Sequence, residues 1–331
     1  MFNIGRIGIV GAGSWATANA KIIQEKKVPI NWYIHETEVI EHLKEYGNNP
    51  LYLSDAEFNP ELLNLTNDIN HLVENSDTIF LIIPSAYLKF ALQDLKLPLK
   101  DKTIITAIKG IIPDDNLLVG QYMHQTYDVP FDSIGVISGP CHAEEVALER
   151  LSYLTIAFRD EEKVKAVTDL YNNHYIRTNQ SDDILGTEYA AVLKNIYALA
   201  SGVCNGLGFG DNFQAVLISN AIREMKRFTD TVYPIQRDIK NSAYLGDLLV
   251  TAYSQFSRNR YFGTMVGKGY SIKYIKSEMN MVAEGYFASK GIHEINKKYN
   301  VDMPIAESIY KILYEKQSPR RIIKRLTMSL T

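Results

Sequence analysis

The chain has 331 residues, 46% of them hydrophobic, and a formal net charge of −3, the balance of a globular protein with apolar material enough for two domains with cores of their own. That charge leaves no basic excess for nucleic acid or an anionic membrane surface, and no uninterrupted apolar run is long enough to span a bilayer, so nucleic-acid binding and stable membrane insertion are excluded. Two cysteines, Cys141 and Cys204, suit a reducing cytoplasm rather than a disulfide scaffold.

A first strand is predicted over Arg6–Val10, so near the start that no signal peptide is expected. It runs into Gly11-Ala12-Gly13-Ser14-Trp15-Ala16, a G-x-G-x-x-A turn, and then into a helix over Trp15–Gln24. Strand, glycine turn and helix in that order form a dinucleotide-binding fingerprint: Gly11 makes the tight turn, Gly13 leaves room for a pyrophosphate, and Ala16 is small enough for helix–strand packing. The phosphates then meet the N–H groups of the helix N-terminus. Further strands are predicted over Pro29–Ile34, Thr78–Ile83, Thr103–Ala107, Ile134–Ser138 and Leu154–Phe158, with helices such as Ala86–Leu95 between them. The alternation predicts a doubly wound parallel (Rossmann) sheet for residues 1–180.

Beyond the polar stretch Asn179–Gly186 the pattern changes to the helical period, over Thr187–Val203, Phe213–Thr231, Ser242–Tyr253, Ser271–Met279, Ala283–Tyr299 and Ile305–Tyr314. Residues 181–331 are therefore expected to form an all-helical substrate domain.

In such a sheet the ligand lies beyond the carboxyl ends of the strands. Lys109 follows one predicted strand there, and Gly139-Pro140-Cys141-His142-Ala143 follows the next. A thiol–imidazole couple of Cys141 and His142 is rejected, because adjacent residues of a helix do not face each other. In the second half, Lys194 interrupts a helix that is apolar nearly all round. Burial disfavours its ammonium and makes it a usable acid or base. Asp247 is a similar intruder in Tyr244-Leu245-Gly246-Asp247-Leu248-Leu249 and its natural counter-ion. Ser257-Arg258-Asn259-Arg260 follows the helix predicted over Ser242–Tyr253 and sets a hydroxyl, an amide and two guanidinium groups in sequence, which suit a phosphate or carboxylate; the alternative is an exposed basic loop. Glu284 reads as a first-turn helix carboxylate and Asp211 as a helix cap. The seven histidines show no H-E-x-x-H and no clustered ligand spacing, so no metal site is expected.

Taken together, Gly11–Trp15, Lys109-Gly110, Ile137–Pro140, Leu193–Asn195, the loop Gly206–Gly210, Leu245–Leu248, Ser257–Arg260 and Glu284-Gly285 resemble the bacterial-type NAD(P)-dependent glycerol-3-phosphate dehydrogenase family, in family order across nearly the whole chain. The resemblance implies reversible hydride transfer between NAD or NADP and a small phosphate substrate, dihydroxyacetone phosphate, giving sn-glycerol 3-phosphate for phospholipid synthesis, in a cytoplasmic homodimer. It implies cofactor contacts from Ser14, Trp15, His35, Lys109 and Ala143, with Arg258, Val282 and Glu284. It also implies substrate contacts from Lys109, Gly139, Cys141, Lys194, Asp247, Ser257, Arg258 and Asn259, with Lys194 as the proton acceptor. The chain departs from the family pattern where Ala16 replaces the third glycine and where Cys141-His142 stands in place of a hydroxyl residue and an aromatic. The second strand ends in His35-Glu36; an acid there favours a ribose 2′-hydroxyl and a cation a 2′-phosphate, so NAD and NADP both stay open. Two alternatives also stay open: another dehydrogenase with a helical second domain, acting on a hydroxy acid or acyl thioester, and a non-catalytic NAD(H)-sensing regulator. A sensor needs neither a buried Lys194 nor the Ser257–Arg260 cluster.

Overall fold

The computed structural model describes residues 4–279 and 282–331. It divides into two compact units: the first runs to Ile108 and resumes over Val119–Ile184, and the second comprises Lys109–Leu118 and Leu185–Thr331. Against the expected division at residue 180, the stretch after the strand ending at Thr106 clusters with the helical unit, and Lys109 goes with it.

In chain order the strands of the described residues are β1 (Ile7–Val10), β2 (Ile30–Tyr33), β3 (Leu63–Thr66), β4 (Thr78–Leu81), β5 (Thr103–Thr106), β6 (Ile111–Ile112), β7 (Leu117–Leu118), β8 (Ile134–Ser138), β9 (Ser152–Ala157) and β10 (Ile176–Ser181). Eight of them form the sheet of the first unit, in the order β10-β9-β8-β5-β4-β1-β2-β3, while β6 and β7 pair as a small hairpin of the second. The strand order reverses between β1 and β4, the switch point where an open α/β sheet leaves its ligand crevice. The strands β1, β4, β5 and β8 are buried along their whole length, as central parallel strands covered on both faces must be.

Not every pair is parallel. β8 and β9 run antiparallel, with Val136 opposite Ala157 and Ser138 opposite Thr155. Only the five-residue helix Ala143–Ala147 lies between them. A parallel neighbour requires a long crossover, whereas an antiparallel one is reached by a short return. The two edge strands, β3 and β10, were not among the predicted ones. Most of their residues are partly or fully exposed, so neither carries an apolar run to announce it.

The helices of the first unit are α1 (Ser14–Gln24), α2 (Thr37–Tyr46), α3 (Ile69–Glu74), α4 (Leu88–Ala91), α5 (Val119–Tyr127), α6 (Ala143–Ala147) and α7 (Glu161–Tyr171). The Tyr171 hydroxyl donates to Asn19 Oδ1 at 2.7 Å, and Asn19 Nδ2 donates to the Trp15 carbonyl at 2.6 Å, tying α7 to the first turns of α1.

The second unit holds α8 (Ile184–Gly206, starting on the last residue of the first), α9 (Asp211–Val232), a π-helical turn over Ser242–Gly246, α10 (Asp247–Tyr253), α11 (Arg258–Gly267), α12 (Ile272–Glu278), α13 (Glu284–Tyr299), α14 (Pro304–Leu313) and α15 (Pro319–Leu326). From Tyr189 to Cys204 every residue of α8 is buried, which is the fate of a helix apolar all round. Helix α11 packs backbone to backbone on it: a Cβ at Gly202 would lie 2.0 Å from the Arg260 carbonyl oxygen, and one at Gly263 would lie 2.2 Å from that of Leu199. Helix α14 lacks a side-chain cap of its own. The buried Glu224 of α9 caps it instead, accepting from Ile305 N at 2.8 Å and Ala306 N at 2.9 Å. Burial still pushes that carboxyl up to about 7, against the pull of the two N–H groups. Asp211 is the first residue of α9 and Gly210 its cap, so the carboxylate acts on the helix dipole rather than as the expected cap. Among the described residues no helix is long and apolar enough to cross a membrane.

Candidate active site

In the first unit the fingerprint turn is built by its own backbone and its neighbours. Gly11 has φ +118°, and a Cβ there would lie 2.3 Å from the Ile82 carbonyl oxygen, so the close approach of β1 and β4 demands glycine. The carbonyls of the turn are tied down: Trp32 Nε1 donates to Gly11 O at 2.7 Å, Asn49 Nδ2 to Ala12 O at 2.9 Å, and Thr17 Oγ1 to Gly13 O at 3.1 Å. Gly13 caps α1 with φ −67° and ψ 174°, an extended backbone open to any residue. A Cβ at Gly13 would meet no atom of the described residues within 4 Å. The fold itself thus has no need of glycine at this position. The space beside the N-terminus of an eleven-residue helix is where a pyrophosphate fits against the backbone, and the residues present suit a dinucleotide. Ser14 is buried and Trp15 half-buried at the start of α1. Gly139 and Cys141 follow β8, and Ala143 opens α6. His35, one residue past β2 and its following Ile34, stands exposed with its ring edge-on to Phe90, centroids 5.2 Å apart.

In the second unit the two apolar-helix intruders meet. The Lys194 ammonium donates to Asp247 Oδ1, and the Lys109 ammonium donates to Asp247 Oδ2 at 3.3 Å. Lys194 is 5% exposed and Asp247 1%. Burial lowers the Lys194 ammonium to about 7; Asp247 opposes the shift and Lys109 adds to it. Burial would raise Asp247, but Lys109 and Lys194 together hold it below the usual carboxylate range. One carboxylate thus stays ionised between two amines, and the buried Lys194 gives up its proton readily. Asp247 is the first residue of α10, directly after the π-helical turn where one regular helix was predicted. Such turns recur at functional sites because they re-aim a side chain.

The stretch Ser257–Arg260, which lies outside the predicted helices, is the start of α11. The Ser257 hydroxyl caps it by accepting from Arg260 N at 3.2 Å. Asn259 is buried and uses both ends of its amide: Nδ2 donates to Asn195 Oδ1 at 2.9 Å, and Oδ1 accepts from Gly285 N at 2.9 Å. Asn195 Nδ2 in turn donates to the Lys109 carbonyl at 2.7 Å. This relay runs from α13 through α11 and α8 to Lys109. Asn195 has no predicted role of its own, although a buried amide inside an apolar helix is the same signal that singles out Lys194. Arg258 is the half-buried first residue of α11, Glu284 is the first residue of α13, and Val282 lies just before it.

The comparisons agree with both units. A family model described as the NAD-dependent glycerol-3-phosphate dehydrogenase N-terminus matches residues 6–164, and one described as its C-terminus matches residues 183–324. Glycerol-3-phosphate dehydrogenase [NAD(P)+] of Oceanobacillus iheyensis is 34% identical over 322 residues, 97% of this chain and 93% of its own. The protein of that name from an Exiguobacterium species is 33% identical over 322 residues, 97% and 94% of the two chains. The crystal structure of glycerol-3-phosphate dehydrogenase from Coxiella burnetii superposes with a TM-score of 0.89 at 28% identity, covering 98% of each chain. Matched along both units in sequence and fold, the chain belongs to the NAD(P)-dependent glycerol-3-phosphate dehydrogenase family.

Proposed function

We propose that Lys194 is the proton donor in the reaction of this family, the reversible reduction of dihydroxyacetone phosphate to sn-glycerol 3-phosphate, which this chain catalyses with NADH or NADPH. The observation that carries the reading is the buried cluster of Lys194, Asp247 and Lys109. The nicotinamide, when bound, supplies the hydride that reduces the ketone carbon. The protein must put a proton on the carbonyl oxygen and hold the substrate by its phosphate. Two ammonium groups around one carboxylate leave a positive charge for the oxygen on which negative charge develops. An amine that titrates at about 7 can give its proton to that oxygen in reduction and, once neutral, take one from the hydroxyl in oxidation. Asp247 fixes the lysine in place, and the Asn195–Asn259 relay fixes Lys109.

The phosphate falls to Arg258, with Ser257 and Asn259 holding the start of α11 that presents it. A guanidinium is suited to a phosphate dianion, and binding energy taken from that remote group positions the carbon that reacts. Cytoplasmic residence and a homodimer belong to the same reading. Two cysteines that form no disulfide among the described residues support the first, Cys204 being pushed up to about 12 by burial and so inert; sedimentation of the purified chain tests the second. The phosphate role is tested with Arg258→Ala on dihydroxyacetone phosphate and on unphosphorylated dihydroxyacetone. The expected loss in kcat/KM is at least about tenfold on the phosphate, from one charge-assisted hydrogen bond or more, and much smaller on the other. Equal losses on both substrates would remove Arg258 from the phosphate contact.

A further inference from the structure

At the carboxyl end of β2 the first unit holds a cavity of about 280 Å³ lined by Tyr33, His35, Asp68, Phe90 and Asp94 among others. Its walls come from four separate places in the chain: β2, the turn before α3, helix α4 and the segment after it. Asn67 Nδ2 donates to Thr37 Oγ1 at 3.3 Å, and Ile34 N donates to Thr66 O at 2.9 Å, so the turn after β3 and the start of α2 are joined beside it. The charge of this cavity is one-sided. Asp68 and Asp94 line it together with Tyr33, and Glu36 follows the lining residue His35 directly in the chain; burial raises the Tyr33 phenol, and the negative fields of Asp94, Glu36 and Asp68 raise it further. Glu36 is exposed, and as the cap residue of α2 its side chain makes no cap hydrogen bond. His35 is the one basic side chain in the lining, which holds no lysine or arginine among the described residues. Its ring is turned edge-on to Phe90.

In a Rossmann sheet the residue at the end of the second strand, about 20 residues past the glycine turn, decides what the adenosine ribose carries there. A carboxylate accepts a hydrogen bond from a 2′-hydroxyl. A 2′-phosphate brings two negative charges, which these carboxylates repel and no guanidinium or ammonium of the cavity lining offsets. We propose that this end of the sheet selects NAD(H) over NADP(H), with Glu36 as the specificity-determining residue and Asp68 and Asp94 reinforcing it. The inference rests on the dinucleotide site described above and goes beyond it in choosing between the two cofactors.

Titration of the intact chain with NADH and with NADPH, followed by nicotinamide fluorescence or calorimetry, tests it without turnover. NADH is expected to bind at least about tenfold more tightly than NADPH at low salt, with the ratio shrinking as ionic strength rises, because exposed carboxylates are screened. Glu36→Gln should narrow the ratio, and Glu36→Arg should narrow it further or invert it, through weaker NADH binding as the 2′-hydroxyl loses its acceptor and tighter NADPH binding as repulsion is removed. Glu36 is exposed and its side chain caps nothing, so both variants should fold. Equal or tighter binding of NADPH by the unaltered chain would overturn the preference and leave the dehydrogenase reading standing. A ratio insensitive to salt and to both substitutions would overturn the role of the carboxylates. Binding of neither cofactor would overturn the dinucleotide site itself, and the preference with it.

Discussion

Lys194 carries the account at the scale of a single residue. Its chemistry follows from burial, which lowers the ammonium to about 7 although Asp247 pulls the other way. The sign of the consequences can be worked out. In reduction the ammonium is the reactive form, so kcat/KM for dihydroxyacetone phosphate should fall as pH rises through about 7, and the rate of glycerol 3-phosphate oxidation should rise through the same range. Folding shows the same group: between about 7 and the ordinary lysine value of 10.5 the unfolded chain holds the proton and the folded chain does not, so this lysine makes stability rise with pH across that window. Lys194→Met should lower kcat by about 10²-fold or more and erase the pH step, with NADH affinity near that of the unaltered chain. It should fold, because Asp247 keeps Lys109. Asp247→Leu should be the more damaging change, by about 3–5 kcal/mol in urea unfolding, since it strips the buried Lys194 of its counter-ion. A Lys194→Met protein that turns over normally would remove this residue from the mechanism. Both Lys194 and Asp247 were legible in the sequence because a charge in an apolar helix must be answered. Their pairing with Lys109 was not, since it joins residues 138 apart through the tertiary fold.

Among the elements, legibility followed burial. The strands β1, β2, β4, β5, β8 and β9, with apolar runs, were predicted within a few residues of their ends, and so were six stretches of helix in the second unit. The edge strands β3 and β10 were not, because a neighbour's hydrogen bonds rather than an apolar pattern hold them extended. Helix α11 lies outside the predicted helices for a related reason. Its first turn is Arg258-Asn259-Arg260, and the glycines that mark a break elsewhere serve here to let it touch α8. The strand–turn–helix of β1 and α1 was legible in full, and its two glycines make opposite predictions. Gly11→Ala should destabilise the protein by about 1–3 kcal/mol or more, since a side chain there collides with the β4 backbone and must sit at positive φ. Gly13→Val should leave thermal unfolding within a degree or two of wild type, roughly 0.5 kcal/mol, and weaken NADH binding by at least about tenfold. Unchanged NADH affinity in Gly13→Val would mean that the turn only turns the chain.

At the scale of the whole molecule, each unit brings one competence: the sheet offers a dinucleotide turn, and the helical unit a buried acid and base held by a polar relay. Sequence alone left three activities open, and they differ in what the two competences do together. A sensor binds the cofactor and stops, and a hydroxy-acid or thioester dehydrogenase reduces a different carbonyl. Family membership favours the ketone phosphate, and the lysine cluster with Arg258 is suited to it. The measurement that decides is the loss of nicotinamide absorbance when the purified chain meets NADH or NADPH with dihydroxyacetone phosphate, a 2-keto acid and an acyl thioester in parallel. Steady turnover is expected with dihydroxyacetone phosphate, at a kcat/KM at least about 10²-fold above that for the other two, some 3 kcal/mol of preferential transition-state binding. Faster reduction of the keto acid or the thioester would contradict it, and so would tight binding of NADH with no turnover on dihydroxyacetone phosphate.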